Sequence, residues 1–231
     1  MKTRILLLTL LIAGMTAGIY SCKDSVAGTD DEIDLAAEKS AFLDNCPVVT
    51  GTITEIDAEG LVFMWEEEKM ARDVYANFLE KYKHRVFGNI TKSEAIHQQA
   101  VTRLMEGFGV ENPGDDAPGT FLNEHIAELY STLMAMGETS LKDALKAGAL
   151  IEETDILDLK QWIGETENPS IARVYTNLLK ASENHLRAFT GVLRIQGVIY
   201  EPVILNEEYY NAVIARNVPD EYRAKGYHVG K

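Results

Sequence analysis

Cysteine is almost absent: the 231 residues contain two, Cys22 and Cys46. No Cys-x-x-Cys pair exists, so a cysteine metal knuckle is excluded. Positive charge is scarce as well, with 22 Lys+Arg against 36 Asp+Glu and a formal net charge of -14. A surface so acidic repels phosphate backbones, which excludes nucleic acid as a partner. The apolar run Ile5 to Ile12 is too short and wrongly flanked to remain as a membrane span. What is present is ordinary globular material, 46% hydrophobic and 25% charged, enough for one domain with a sizeable core and not the composition of a disordered chain.

Lys2 and Arg4, the apolar run, and then small residues leading to Ile19-Tyr20-Ser21-Cys22 read as a secretory signal over residues 1–21. Its ending resembles the lipobox of bacterial lipoproteins, which implies lipidation of Cys22 and anchoring to the membrane through acyl chains. A plain signal peptide cut nearby, with Cys22 incidental, is the other reading. Cleavage before Cys22 removes Lys2 and Arg4, leaving 20 of the 22 basic residues against 36 acidic ones and a charge of -16. Cys46 is then the only free thiol, so no disulfide forms within the mature chain. Residues 23–34, KDSVAGTDDEID, have the composition of a solvated tether and loosely resemble surface-export signals of Bacteroidota lipoproteins. The expected location is extracytoplasmic, at the outer membrane or cell surface of a Gram-negative bacterium. A lipidated tether with a short helix near 35–43 thus occupies 22–53, a helical bundle 54–200, and an extension packed on the bundle 201–231.

Residues 54–82, 89–108, 140–163 and 168–195 each carry apolar residues three and four apart, the period of a helix with one buried face. Ser140 and Asn168-Pro169 are start signals, and Gly109 and Gly197 are stop signals. Between the second and third helices lie the loop ENPGDDAPG and a further helix over 121–136, a connection long enough to cross from one end of a bundle to the other. Tyr209, Val213 and Ile214 form a last apolar cluster expected on the outside.

Each stripe is interrupted near its middle by groups that prefer water. On the first helix, Glu68 stands among Leu61, Met64, Ala71 and Tyr75, while Glu66 and Glu67 are expected to face solvent. On the second, Glu94 and His97 interrupt Ile90, Val101 and Leu104. Glu152 and Asp155 interrupt the third, with Glu153 and Asp158 expected in water, and His185 interrupts the fourth. Taken singly, these have ordinary explanations. Thr91-x-x-Glu94 also fits a capping box, Glu68 can pair with Arg103 or Arg187, and a lone histidine is usually a satisfied core residue. Together, Glu68, Glu94, His97, Glu152, Asp155 and His185 offer four carboxylates and two imidazoles, the inventory that neutralises and caps two divalent cations. Unpaired buried charge is costly enough that a shared partner is the economical explanation.

The blocks EEEKMARDVY, NITKSEAIHQQAV, GALIEETDILDL and NHLRAF, with the long crossover, resemble the ferritin-like di-iron carboxylate superfamily, nearest its rubrerythrin-type members. They are more closely similar to a ferritin-like family known only as a domain of unknown function. The resemblance implies an all-α, ferritin-like four-helix bundle with two iron ions, or manganese or zinc. Its ligands would be Glu68 from the first helix, Glu94 and His97 from the second, Glu152 from the third and His185 from the fourth. The superfamily commonly has Glu-x-x-His on the fourth helix, where this chain has Ser182; Asp155 would supply that carboxylate from the third helix, and Glu183 points the wrong way. No four-cysteine rubredoxin module accompanies the bundle.

The expected function is oxidoreductase chemistry on oxygen or peroxide by a lipid-anchored protein. The alternatives are metal sequestration without turnover and a metal-free structural lipoprotein. Expected partners are the membrane, metal ions or a small oxidant, with pairing of two copies left open. Tyr75 and Tyr175 are placed as core residues within reach of the site, and His84, His125 and His228 as surface residues without a role.

Overall fold

The start signals at Ser140 and Asn168-Pro169 become helix starts, and the first helix has a cap that its stripe did not announce. Thr54 accepts from the Asp57 N–H at 3.1 Å while the Asp57 carboxylate accepts from the Thr54 N–H at 2.8 Å, a complete capping box that opens α1 (Glu55–Tyr82). Ser140 caps α4 (Leu141–Glu165), and Asn168 accepts from the Ser170 and Ile171 N–H groups ahead of α5 (Pro169–Ile195). Between these lie α2 (Arg85–Phe108) and α3 (Glu124–Gly137); α6 (Glu207–Ile214) and the single turn α7 (Asp220–Arg223) follow. This computed structural model describes residues 39, 40, 42, 49–224 and 228–230. Residues 1–38, with the expected signal and Cys22, lie outside the described residues, as does most of the expected helix at 35–43, of which Lys39, Ser40 and Phe42 are helical.

α2 begins one turn earlier than its sequence pattern suggests. His84 caps it, its Nδ1 accepting from the Val86 N–H at 3.3 Å, so His84 does have a structural role. Thr91 lies inside the helix and bonds back to the Phe87 carbonyl at 2.7 Å, which removes the capping-box account of Glu94.

The protein is an all-α bundle. α1 packs along α2 and α4 along α5 as two hairpins, α1 also lies against α4, and α2 against α5. Gly60 meets Trp162 while Tyr75 reaches the carbonyl of Gly148, so α1 and α4 run in opposite directions. Since α1 and α2 are antiparallel neighbours, α2 and α4 run the same way. Only a crossover spanning the bundle allows that, and α3, packed on α1 and α4, provides it.

Most expected stripe residues are buried, with half-burial at the stripe ends Tyr82, Phe108, Leu141, Trp162 and Val192. An aromatic layer of Tyr75, Phe78, Phe87 and Phe189, ring centroids 5.2–6.4 Å apart, joins α1, α2 and α5. Gly148 makes room for it on α4, where a Cβ would come within 2.6 Å of the Phe189 ring.

The expectation that Glu66, Glu67 and Glu153 face solvent is overturned: all three are buried, and Asp158 is half-buried. α1 and α4 are covered on two faces, by the bundle core and by segments outside it. Glu66 accepts from the N–H groups of Leu122 and Asn123 at 2.6 and 2.8 Å and so holds the entry to α3. Glu153 accepts from the N–H groups of Val203, Ile204 and Leu205 and from the Tyr200 hydroxyl, fixing the extension. Tyr209 and Val213 are buried and Ile214 half-buried where α6 lies on α5. Among the described residues no helix is long and apolar enough to cross a membrane.

Glu153→Ala strands those donors, and unfolding in urea should show a loss of about 3 kcal/mol or more, because charged acceptors left out are the expensive kind. An unchanged midpoint would mean that the extension does not depend on this carboxylate.

Candidate metal centre

Five of the six candidate residues converge where the mid-stripes of α1, α2, α4 and α5 meet. Their oxygen and nitrogen atoms form two overlapping groups that can hold a metal ion: Glu68, Glu94 and His97, and Glu94, Glu152 and His185, each with its ligand atoms within 4.8 Å of one another. Glu94 belongs to both. One of its oxygens, Oε2, lies 2.6 Å from His97 Nδ1, and the other, Oε1, 3.0 Å from His185 Nδ1. Glu68 Oε2 approaches His97 Nδ1 to 3.4 Å, and Glu152 Oε2 approaches His185 Nδ1 to the same distance. Each imidazole thus turns Nδ1 toward two carboxylates, one shared and one its own.

The two rings are nearly parallel, 5.5 Å apart at an interplanar angle of 20°. Their far nitrogens meet one hydroxyl: Ser93 Oγ is 3.3 Å from His97 Nε2 and 3.0 Å from His185 Nε2. With both Nε2 atoms protonated, Ser93 accepts twice and both Nδ1 lone pairs point into the site, the tautomer a metal requires. Sequence reasoning passed over Ser93, although its position four residues before His97 places it on the same helical face. Phe42 was not singled out either. It is buried with its ring 4.9 Å from that of His97, closing that side with an apolar surface.

Asp155 stands beside the two groups without belonging to either. It accepts from the Ser182 hydroxyl through Oδ2, while buried Oδ1 has no hydrogen-bond partner. Ser182 therefore occupies the turn before His185 as a donor to Asp155. Glu183, as expected, faces away, accepting from Tyr209 and Arg223. Tyr75 does more than pack: its hydroxyl donates to Glu152 Oε1 at 2.5 Å. The Tyr175 hydroxyl is buried without a partner. The Arg187 guanidinium donates to the Val213 carbonyl, and the group facing Glu68 is His97.

The charge balance is strained. Burial pushes the Glu68 carboxyl up to about 8 even though His97 pulls the other way. Burial also raises Glu152 and Asp155, the latter further raised by Glu68 and Glu152. Against the same burial, His185 and His97 hold Glu94 well below the usual carboxylate range, and Glu68 and Glu94 hold His97 well above the usual imidazole range. Glu68 Oε1 is buried with no hydrogen-bond partner. Three carboxylates within the groups, a fourth alongside, two imidazoles with inward Nδ1 atoms and an orphaned oxygen fit a pair of dications.

A family model described as "Uncharacterized protein domain (DUF2202)" matches residues 57–217, a span that includes all six candidates. The chain belongs to this family. It is 44% identical over 164 residues, 71% of this chain and 89% of the relative, to "Uncharacterized protein MJ0754" of Methanocaldococcus jannaschii. The crystal structure of hypothetical protein MJ0754 superposes with a TM-score of 0.72 at 42% identity, covering 75% of this chain and 99% of that one. The DUF2202 match ends within the C-terminal extension, beyond α6.

Two outcomes follow from this geometry. In metal-free protein the raised Glu68 and His97 groups bind protons more tightly folded than unfolded. The Glu68 contribution is therefore complete at low pH and is lost as pH rises from 4.5 to about 8, and that of His97 is lost from 6.5 upward. The thermal midpoint should fall over that range, and adding Zn2+ should release protons to a weakly buffered solution and bind more tightly at pH 8 than at pH 6. Ser93→Ala should weaken Zn2+ binding about 10-fold or more while leaving helix content unchanged, measured by competition with a chromophoric chelator.

Proposed function

We propose that this chain is a ferritin-like dinuclear metal protein that binds two first-row divalent cations, iron or manganese, and reduces oxygen or peroxide. The observation that carries the reading is Glu94, whose two oxygens each face a different imidazole, as a carboxylate bridging two cations does. Glu68 and His97 would complete one position, Glu152 and His185 the other, with Asp155 in reserve on the α4 side. Bound there, a redox-active pair supplies the electrons that an oxidant takes up.

The chain's own residues do the rest. The Tyr75 hydroxyl oxygen, 2.5 Å from Glu152 Oε1, directs its proton at that carboxylate, and Ser93 keeps both rings turned inward. Phe42 and the aromatic layer exclude water, so charge within the site is screened weakly and its rearrangement is strongly felt. The acidic balance and the signal-like start support an exported protein anchored through Cys22, with the bundle outside the cytoplasm.

Protein purified without chelator should carry close to two metal ions per chain by elemental analysis. The ferrous form should consume hydrogen peroxide or oxygen, and Glu94→Ala should abolish both binding and consumption. Retained metal with no consumption would identify a sequestering protein, and absence of metal after reconstitution would leave a metal-free polar core.

A further inference from the structure

The buried carboxylates around the centre divide into two kinds. Glu66, Glu153 and Glu183 are satisfied by backbone N–H groups, tyrosine hydroxyls or Arg223. Glu67 and Asp155 are not: Glu67 Oε2 and Asp155 Oδ1 are buried and have no hydrogen-bond partner. Glu67, on α1, faces Asp158 on α4, their carboxyl groups within hydrogen-bonding reach of each other. Asp155 lies one helical step from Asp158.

Along α4, Glu152, Asp155 and Asp158 recur every third residue, each about 4.5 Å further along the axis. Their exposure rises in that order, from 2% at Glu152 to 8% at Asp155 to half-buried at Asp158. Beyond Asp158 comes His125, exposed in the first turn of α3 and close enough to act on the Asp158 charge. The seam between α1 and α4 is therefore lined with carboxyl groups from the surface at α3 to the second ligand group.

We propose that Asp158, Glu67 and Asp155 form the route by which divalent cations enter the buried centre, with His125 at its mouth. The pair Glu67 and Asp158 is a transit station. It supplies two protein ligands, not three, so a cation is held there weakly and passed inward to Asp155 and then to Glu152. The inference rests on the dinuclear reading, and it names how that site is filled.

The test is stopped-flow loading of metal-free protein with Co2+, followed by its visible absorption, in wild type, Asp158→Asn and Glu67→Gln. Both substitutions keep shape and hydrogen bonding while removing charge. Each should slow loading about 10-fold or more and flatten its dependence on salt, because the carboxylates concentrate counterions along the seam. The final stoichiometry should stay at that of wild type, and circular dichroism should show the same helix content.

Loading at the wild-type rate in both variants overturns the route while leaving the centre intact. A lower final stoichiometry at unchanged rate also overturns it, since the residues would then be ligands of the stored ions. A wild-type protein that takes up no Co2+ removes the centre itself, and the route with it. Should Glu67→Gln fail to fold, the half-exposed Asp158→Asn decides the question alone.

Discussion

The bundle depends on concentrating carboxylates and imidazoles at one dry point without letting their charges drive it apart. Glu94 is the pivot of that arrangement. It stays ionised between two imidazoles, while Glu68 and Glu152, each facing only one, are pushed toward their protonated forms. Every other feature of the interior serves this balance. Ser93 ties both rings from behind, Tyr75 satisfies an oxygen of Glu152, and the aromatic layer and Phe42 keep water from dispersing the field. Polar groups gathered so tightly demand full satisfaction, and the oxygens left over on Glu68, Glu67 and Asp155 mark where the protein alone does not supply it.

A second use of buried acid surrounds the first. Glu66 receives the chain as it enters the crossover helix, Glu153 receives the extension, and Glu183 receives α7 through Arg223. Lys69 and Asp73 act similarly, Lys69 donating to the Ala117 carbonyl and Asp73 accepting from the Gly119 N–H. The segments outside the bundle, short in regular structure of their own, are thus fixed by charge-assisted bonds to the helices that carry the candidate ligands.

The four long helices, the crossover and the mid-stripe residues were legible in the sequence because each signal is local. Ser140 and Asn168-Pro169 announce helix starts, and a polar residue on an apolar stripe is conspicuous. Glu66, Glu67 and Glu153 were misread because a single-stripe analysis assumes one buried face, whereas α1 and α4 are covered on two. The early start of α2 was missed because an imidazole, not a hydroxyl or carboxylate, caps it. Tyr75 could be placed on the inward face but not given its acceptor, since the register between α1 and α4 is a tertiary fact. The same holds for Ser93, whose two partners come from different hairpins.

The two ligand groups are unequal in how they involve the fold. Glu68, Glu94 and His97 all come from the first hairpin, whereas Glu94, Glu152 and His185 draw on both. A cation in the first group would be an internal brace of one helix pair. A cation in the second would be a rivet across the seam between the two hairpins, so emptying it would loosen their docking while the first hairpin kept its own ion.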